Sequence, residues 1–144
     1  IETILIDRFQ GNVDFKEDNW LGFAKSDFVA IVELKNITDL MQVGVVFGHD
    51  PESWVFLPEN VSVSFSEDGT HFTEPVLAKM PFNPLLESDN NKRVEVITLD
   101  VNQPQVKYIK IHAKNIGKIP SWHRAKGLNA WILVSEVEVM EKTN

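Results

Sequence analysis

Hydrophobic and polar residues alternate with a period of two wherever this chain has a regular pattern, and this alternation restricts the fold more than any other feature. A period of two places successive side chains on opposite faces of a strand, whereas a helix needs apolar residues three and four positions apart. Only FKEDNW, residues 15–20, is compatible with even one helical turn. The strand pattern occurs in six runs: 26–34, 40–49, 61–66, 93–100, 105–113 and 135–140. Strands without intervening helices predict an all-β protein, an antiparallel jelly-roll β-sandwich.

Turn signals separate the predicted strands. They are EDGT at 67–70, the segment from Pro81 through ESDNN at 87–91, and NQP at 102–104. The chain has no internal repeat or linker, and 144 residues suit one domain spanning 1–144. Its abrupt start at Ile1, without a signal-peptide pattern, is typical of a domain excised from a longer protein.

The alternation also assigns side chains to faces. In residues 109–113, apolar side chains alternate with Lys110 and His112, and in residues 136–139 glutamate alternates with valine. Antiparallel sheets that cover a core usually have one dry and one wet face. We therefore expect Lys110, His112 and Glu136 to face solvent.

Composition excludes several classes of function. The formal net charge is -7, and the four cations between Lys114 and Lys126 form only a local patch, so we expect no nucleic-acid partner. Because the chain contains no cysteine, it cannot have disulfides, thiolate nucleophiles or cysteine-ligated metals. The longest apolar stretches, such as Val43–Phe47, are far shorter than the roughly 20 residues that span a bilayer, so we expect no membrane partner.

No catalytic motif is recognisable. The four histidines are scattered, without an HxxxH pair, and the chain contains no GxSxG, P-loop or GxGxxG sequence. Carboxylates are plentiful, but pairs of them are expected by chance at this density. The sequence therefore does not predict an autonomous enzyme.

The tryptophans point to a loop instead. Residues 117–133, GKIPSWHRAKGLNAWIL, contain Trp122 and Trp131 in a stretch without strand or helix periodicity. This loop either folds back to plug the end of the fold or contacts a ligand. We expect Trp20 and Trp131 to be buried in the core and Trp122 to contact a ligand, because a flat apolar ring beside polar groups suits a sugar face. For Trp54, burial and ligand contact remain equally open.

Several strings together resemble a known family. LIDRFQGNVDF, NWLGF, FGHDPESWVFLPENVSVSFSEDGTHF and VKYIKIHAKNIGKIPSWH are similar to discoidin-like domains, the coagulation factor V/VIII type C group. SxDGxxF and EVEV support this fold in general, whereas SWVFLP and NxGxxPxWH are closer to the domain at the C-terminus of Bacteroides-type β-N-acetylhexosaminidases (chitobiases). Two departures are Arg8 and the pair Arg124 and Ala125, where that branch usually has glycine.

The resemblance implies a galactose-binding-like jelly roll whose loops at one end meet ligands. The implied ligand-binding residues are Trp122, His123, Trp54, His49 and Asp50. Many such domains carry a structural Ca²⁺ near the N-terminal Asp loop and the last strand, which here correspond to Asp7, Asn12 or Asp14, and Glu136. Alternatively, Asp7 is a turn residue and Glu136 a solvated carboxylate.

The resemblance also implies the function. We expect a non-catalytic carbohydrate-binding accessory domain of a β-N-acetylhexosaminidase-like glycoside hydrolase, located in the periplasm, outside the cell or on its surface. Its partners would be a glycan containing N-acetylhexosamine or galactose and the catalytic domain of the same parent chain. A hexosaminidase barrel takes about 250 residues, so this chain is too short to contain one. The alternative is a structural domain that packs on the catalytic barrel without binding sugar.

Overall fold

The computed structural model describes residues 2–5 and 20–142 and forms an all-β protein. Alternating sequence produces most of the strands, and the only helical element in these residues is a 3-10 turn at Pro51–Ser53. The strands are β1 (Glu2–Leu5), β2 (Leu21–Ala24), β3 (Phe28–His49), β4 (Asn60–Ser66), β5 (Val76–Leu77), β6 (Arg93–Lys114) and β7 (Trp131–Glu141).

The named strands pair in antiparallel fashion. Their order is β1-β7-β3-β6-β4-β5, and β2 pairs with β7 as well. The two 22-residue strands, β3 and β6, form the centre of this arrangement. The expectation of an all-β antiparallel fold is confirmed.

Irregular pairing in the middle of β3 and β6 divides the sheet into two layers. The register shifts between Glu33 and Gln42 of β3, and opposite them Gln105 has a φ of 53°. The first layer contains 28–34 of β3, 106–114 of β6, β4 and β5. The second contains the remaining parts of β3 and β6 with β7, β1 and β2.

One buried cluster fills the space between the two layers. Ile109, Ile111 and Ala113 of the first layer belong to the same apolar cluster as Val137 and Val139 of the second. Because inward-facing side chains of both layers meet there, the two layers form a sandwich around a common core. The predicted dry faces of these two runs are therefore confirmed.

Five of the six predicted runs lie wholly in strands and the sixth, 26–34, does so from Phe28 onward, but one predicted turn is absent. NQP at 102–104 lies inside β6, whose first half continues directly into its second half. The backbone N–H of Gln105 donates to Oδ1 of Asp39 at 3.0 Å, which stabilises the irregular crossing. Pro104 is tolerated because the register is already broken here.

Glu136 and Trp131 differ from their predicted environments. Glu136 is 4% exposed, and a second buried apolar cluster, separate from the main core, contains Trp20, Val46 and Leu133. The prediction that Glu136 faces solvent is wrong, whereas the predicted burial of Trp20 is confirmed. Trp131, expected in the core, is 39% exposed at the start of β7, where its ring lies over Gly22.

Candidate functional site

Three loops meet at one end of the sandwich, and we call this region the loop end. They are the segments 50–59, 81–92 and 115–130. The first joins β3 to β4 and the last joins β6 to β7, so each crosses between the two layers. Residues 117–130 of the tryptophan-containing stretch, predicted to plug the fold or contact a ligand, lie here, whereas residues 131–133 form the start of β7, which corrects the expectation that they lie outside a strand.

Trp122 connects two of these loops. Its indole Nε1–H donates to the carbonyl oxygen of Pro84 at 2.9 Å. Its ring also meets Phe56 edge-on, with 6.1 Å between ring centroids. Phe56 is the centre of a small apolar cluster with Ile119 and Ala130, against which Trp122 packs while remaining partly exposed. The loop therefore folds back onto the protein and still presents part of the indole to solvent.

His123 is buried and has both ring nitrogens hydrogen-bonded. Nδ1 accepts from the backbone N–H of Ala125 at 2.9 Å, so Nε2 carries the proton that is donated to the carbonyl of Pro51, also at 2.9 Å. The ring is 7% exposed. Its main role in this geometry is to fasten the segment 115–130 to the segment 50–59.

His49 and Asp50 lie at the base of the loop end. His49 is fully buried, with Nδ1 accepting from the backbone N–H of Leu57 at 3.3 Å and Nε2–H donating to the carbonyl of Asp89 at 2.9 Å. Burial disfavours the charged imidazole and lowers the pKa of His49. Asp50 is 7% exposed, and its carboxylate is 3.8 Å from the ammonium of Lys92.

Trp54 presents its ring at a separate place on the loop end. It caps the turn Pro51–Ser53 in the left-handed region, with a φ of 66°, and its side chain is 40% exposed. Its carbonyl accepts from the backbone N–H of Trp131 at 2.9 Å, which joins the segment 50–59 to the first residue of β7.

A pocket of about 310 Å³ opens at the loop end. Its lining residues are Glu52, Asn90, Trp122, His123 and Arg124. An indole face is thus combined with a carboxylate, an amide and a guanidinium, which can donate to and accept from hydroxyl groups. This combination suits a small polar ligand that also has an apolar face.

The structure brings together only part of the predicted ligand-binding set. Trp122 and His123 line the pocket, whereas His49, Asp50 and Trp54 do not. The assignment of all five to a ligand stays a prediction. Glu52 and Asn90 line the pocket although the sequence did not predict it, because an exposed carboxylate or amide in a loop looks the same in sequence whether it binds a ligand or water.

The predicted calcium ligands fall mostly outside the described residues. Asp7, Asn12 and Asp14 lie in the part of the chain that the structure does not describe. Glu136 is buried on β7, where it pairs with Leu5 of β1. Within residues 20–142, no group of three or more His, Asp or Glu side chains is arranged to hold a metal ion.

Comparisons with known proteins add no family assignment. No protein-family model matches the chain, and no curated protein matches it significantly. In the portion of the chain that the structure describes, no helix has the length and apolar character needed to cross a membrane.

Proposed function

We propose that this protein is a non-catalytic carbohydrate-binding accessory domain of a β-N-acetylhexosaminidase-like glycoside hydrolase. The observation that carries the proposal is the loop-end pocket, in which the partly exposed ring of Trp122 lies beside Glu52, Asn90 and Arg124. The indole would cover the C–H face of a sugar while the polar side chains bond to its hydroxyls.

Preorganisation supports the same proposal. Trp122 is held by Pro84 and Phe56, and His123 is held by Pro51 and Ala125. Because these two side chains are already ordered before a ligand enters the pocket, the entropic cost of binding is reduced. A single-sugar contact of this size would have a dissociation constant of about 0.1–1 mM, or roughly -4 to -5.5 kcal/mol.

The resemblance of the sequence supplies the rest of the proposal. The glycan would contain N-acetylhexosamine or galactose, the parent enzyme would act in the periplasm, outside the cell or on its surface, and the fold would be a galactose-binding-like jelly roll. Tethering a catalytic domain to such a module raises the local concentration of substrate. A structural Ca²⁺ bound by Asp7, Asn12 or Asp14 and Glu136 is part of the same proposal.

Calorimetric titration of the isolated domain tests the binding. N-acetylglucosamine, N-acetylgalactosamine and galactose are the probes, after a glycan array has selected among them. Trp122→Ala should weaken binding by about 1–3 kcal/mol, the apolar contribution of a stacked indole. Trp54→Ala is the matched control, since Trp54 is exposed but does not line the pocket. Loss of binding in the Trp54 variant alone would contradict the assignment.

A second test addresses catalysis. The domain should not hydrolyse chromogenic N-acetylglucosaminides or N-acetylgalactosaminides above the rate in buffer. Turnover that copurifies with the domain and disappears on mutation of one carboxylate would contradict the accessory role.

A structural role in the parent enzyme is the second candidate, and exposed apolar side chains favour it. Leu86 is 80% exposed in the segment 81–92, Leu128 is 48% exposed in the segment 115–130, and Trp131 is 39% exposed at the start of β7. Such residues at one end of a domain suit an interface with a second domain. If Leu86→Ser and Leu128→Ser lower the melting temperature of the whole parent enzyme but not of the isolated domain, and no sugar binds, this candidate replaces the first.

A further inference from the structure

A second pocket lies on the outer face of the first layer. It has a volume of about 320 Å³ and shares no residue with the loop-end pocket. Its lining residues are Val29, Ser62, Ser64, Pro75, Lys110 and His112. We call it the sheet pocket, and nothing in the proposed function uses it.

Strand register places four polar side chains in a compact group. Ser62 lies opposite His112, and Ser64 lies opposite Lys110, in the antiparallel pairing of β4 with β6. Opposite side chains have Cβ atoms about 5 Å apart, and same-face neighbours along a strand are about 7 Å apart. The two strand pairs therefore bring the four polar groups together at the sheet pocket.

These polar groups make few hydrogen bonds or ion pairs within the protein. In residues 20–142, no hydrogen bond or ion pair occupies the two serine hydroxyls, the Lys110 ammonium or Nδ1 of His112. The Lys110 ammonium lies 5.9 Å from the centre of the Phe72 ring, a cation–π distance that leaves its N–H groups free. Lys114, by comparison, is paired with Glu59 at 3.0 Å.

The charge of the sheet pocket is unusual for this protein. The chain has a net charge of -7, yet no carboxylate lines the pocket, which is lined instead by an ammonium, an imidazole and two hydroxyls. The ammonium and the two hydroxyls can donate hydrogen bonds, and Lys110 can only donate. This set favours a negatively charged acceptor over a cation or a neutral sugar.

We propose that the sheet pocket binds a tetrahedral oxyanion, a sulfate or phosphate group either free or esterified to a glycan. Lys110 supplies the charge, and the hydroxyls of Ser62 and Ser64 bond to two of the oxygens. Val29 and Pro75 give the pocket an apolar wall, which suits the carbon skeleton of an ester. Charge-assisted hydrogen bonds of this kind are the strong ones in proteins.

His112 is held at the wall of the sheet pocket by a bond to Asp27. Its Nε2–H donates to Oδ2 of Asp27 at 2.7 Å, which leaves Nδ1 as the ring nitrogen that faces no partner within the described residues. The other charged groups around His112 are Asp27, Lys110 and the Lys114 ion pair with Glu59.

The test is an NMR titration of the ¹⁵N-labelled domain with sodium sulfate, sodium phosphate and N-acetylglucosamine 6-sulfate. Sodium chloride at matched ionic strength is the reference. We expect saturable shifts of the amides of residues 62, 64, 110 and 112 on addition of sulfate. Tighter binding of the sugar sulfate than of the free ions would identify the ester as the ligand. Shifts no larger than those caused by chloride would overturn the proposal.

Matched variants separate a specific site from general screening. Lys110→Gln should raise the sulfate dissociation constant at least about tenfold, as loss of a charge-assisted bond predicts. Lys126→Gln removes the same charge from the exposed segment 115–130 and should leave it unchanged. An equal loss in both variants would overturn the proposal. So would loss of sulfate binding in Trp122→Ala, since that would place the ion at the loop end. Unchanged amide spectra away from the substituted residue verify that each variant is folded.

Discussion

The indole N–H of Trp122 donates to the carbonyl of Pro84, with 2.9 Å between nitrogen and oxygen. This bond joins two loops that are 38 positions apart and fixes the orientation of a ring that is only partly buried. This loop therefore folds back onto the protein and also exposes part of an aromatic ring. Both are possible because the hydrogen-bonded edge of the Trp122 ring is held in place while another part of the ring is open to solvent.

Trp122→Ala should lower the free energy of unfolding by an intermediate amount, about 1–3 kcal/mol, because the ring is partly buried and one hydrogen bond is lost. Phe56→Ala should cost more, about 3–5 kcal/mol, since Phe56 is 1% exposed. Urea unfolding measures both. Trp122→Phe keeps a ring but not the donor and should lose about 1 kcal/mol. Equal losses for Trp122→Ala and Phe56→Ala would show that Trp122 is a core residue.

His49 should make stability fall as the solution becomes acidic. Burial lowers its pKa in the folded state, whereas in the unfolded chain an ordinary histidine titrates at about 6.5. Below that pH the unfolded state binds a proton that the folded state does not. The contribution is thus fully present above about pH 6.5 and is lost as the pH falls toward the folded pKa, with a slope of at most about 1.4 kcal/mol per pH unit.

Urea unfolding at several pH values between 5 and 8 checks this dependence. His49→Gln should remove it, although the variant will be less stable at neutral pH. His71→Gln, at an exposed bend, should retain it. A slope that is the same with and without His49 would contradict the prediction.

Asn115 should be among the most sensitive polar residues of the loop end. Its Nδ2 donates to the carbonyls of Phe23 and Ser26 at 3.1 Å and of Ala130 at 3.2 Å. Asn115→Ala removes this donor from all three carbonyls in a site that is 5% exposed, although Ala130 keeps another, the backbone N–H of Lys25 at 2.7 Å, so we expect a loss of about 2–4 kcal/mol. Asn129→Ala, at an exposed position of the same segment, should cost under about 0.5 kcal/mol.

Asn115→Asp tests the same hydrogen-bond network through the pH dependence of stability. The aspartate keeps an acceptor for the backbone N–H of Gly117 but places negative charge among three carbonyl oxygens. Its pKa in the folded state should be raised, so the variant should regain stability as the pH falls. A variant that loses stability on acidification to the same extent as the wild type would contradict this reading of the network.

Gly69 and Gly127 form a matched pair for separating backbone strain from steric contact. Both have positive φ, 81° and 85°. A residue with a side chain in this left-handed region lowers the stability of the folded state by about 1–2 kcal/mol. A Cβ at Gly69 would lie 3.1 Å from the ring of Tyr108, whereas nothing lies within 4 Å of one at Gly127. Gly69→Ala should therefore lower the free energy of unfolding by about 1 kcal/mol more than Gly127→Ala. Equal losses would show that Tyr108 moves aside without cost.

The proposed calcium ion should raise the melting temperature. A ligand at a hundred times its dissociation constant adds about 2.7 kcal/mol, or about 5–10 °C for a domain of this size. Glu136→Gln should abolish the calcium-dependent rise, whereas Glu138→Gln, on the same strand, should keep it. Identical melting curves in EDTA and in millimolar calcium would exclude the ion.

The sequence by itself determined where the longer strands form and which of their side chains face the main core. Ile109, Ile111, Val137 and Val139 are buried as their alternation predicts, because a period of two is a local property of an extended backbone. It did not predict the short strands β1, β2 and β5. Nor did it reveal that residues 28–34 and 40–49 belong to one strand, since bulges join strands without a distinctive sequence signal.

The tertiary structure alone decided which polar and aromatic side chains are buried or grouped. Glu136 is 4% exposed although it alternates with the valines of β7, and no pattern within β7 encodes this burial. The loop-end pocket depends on bonds from Trp122 and His123 to the carbonyls of Pro84 and Pro51. Every residue has a carbonyl, so an acceptor of this kind leaves no trace in the sequence and is selected only when distant segments pack together.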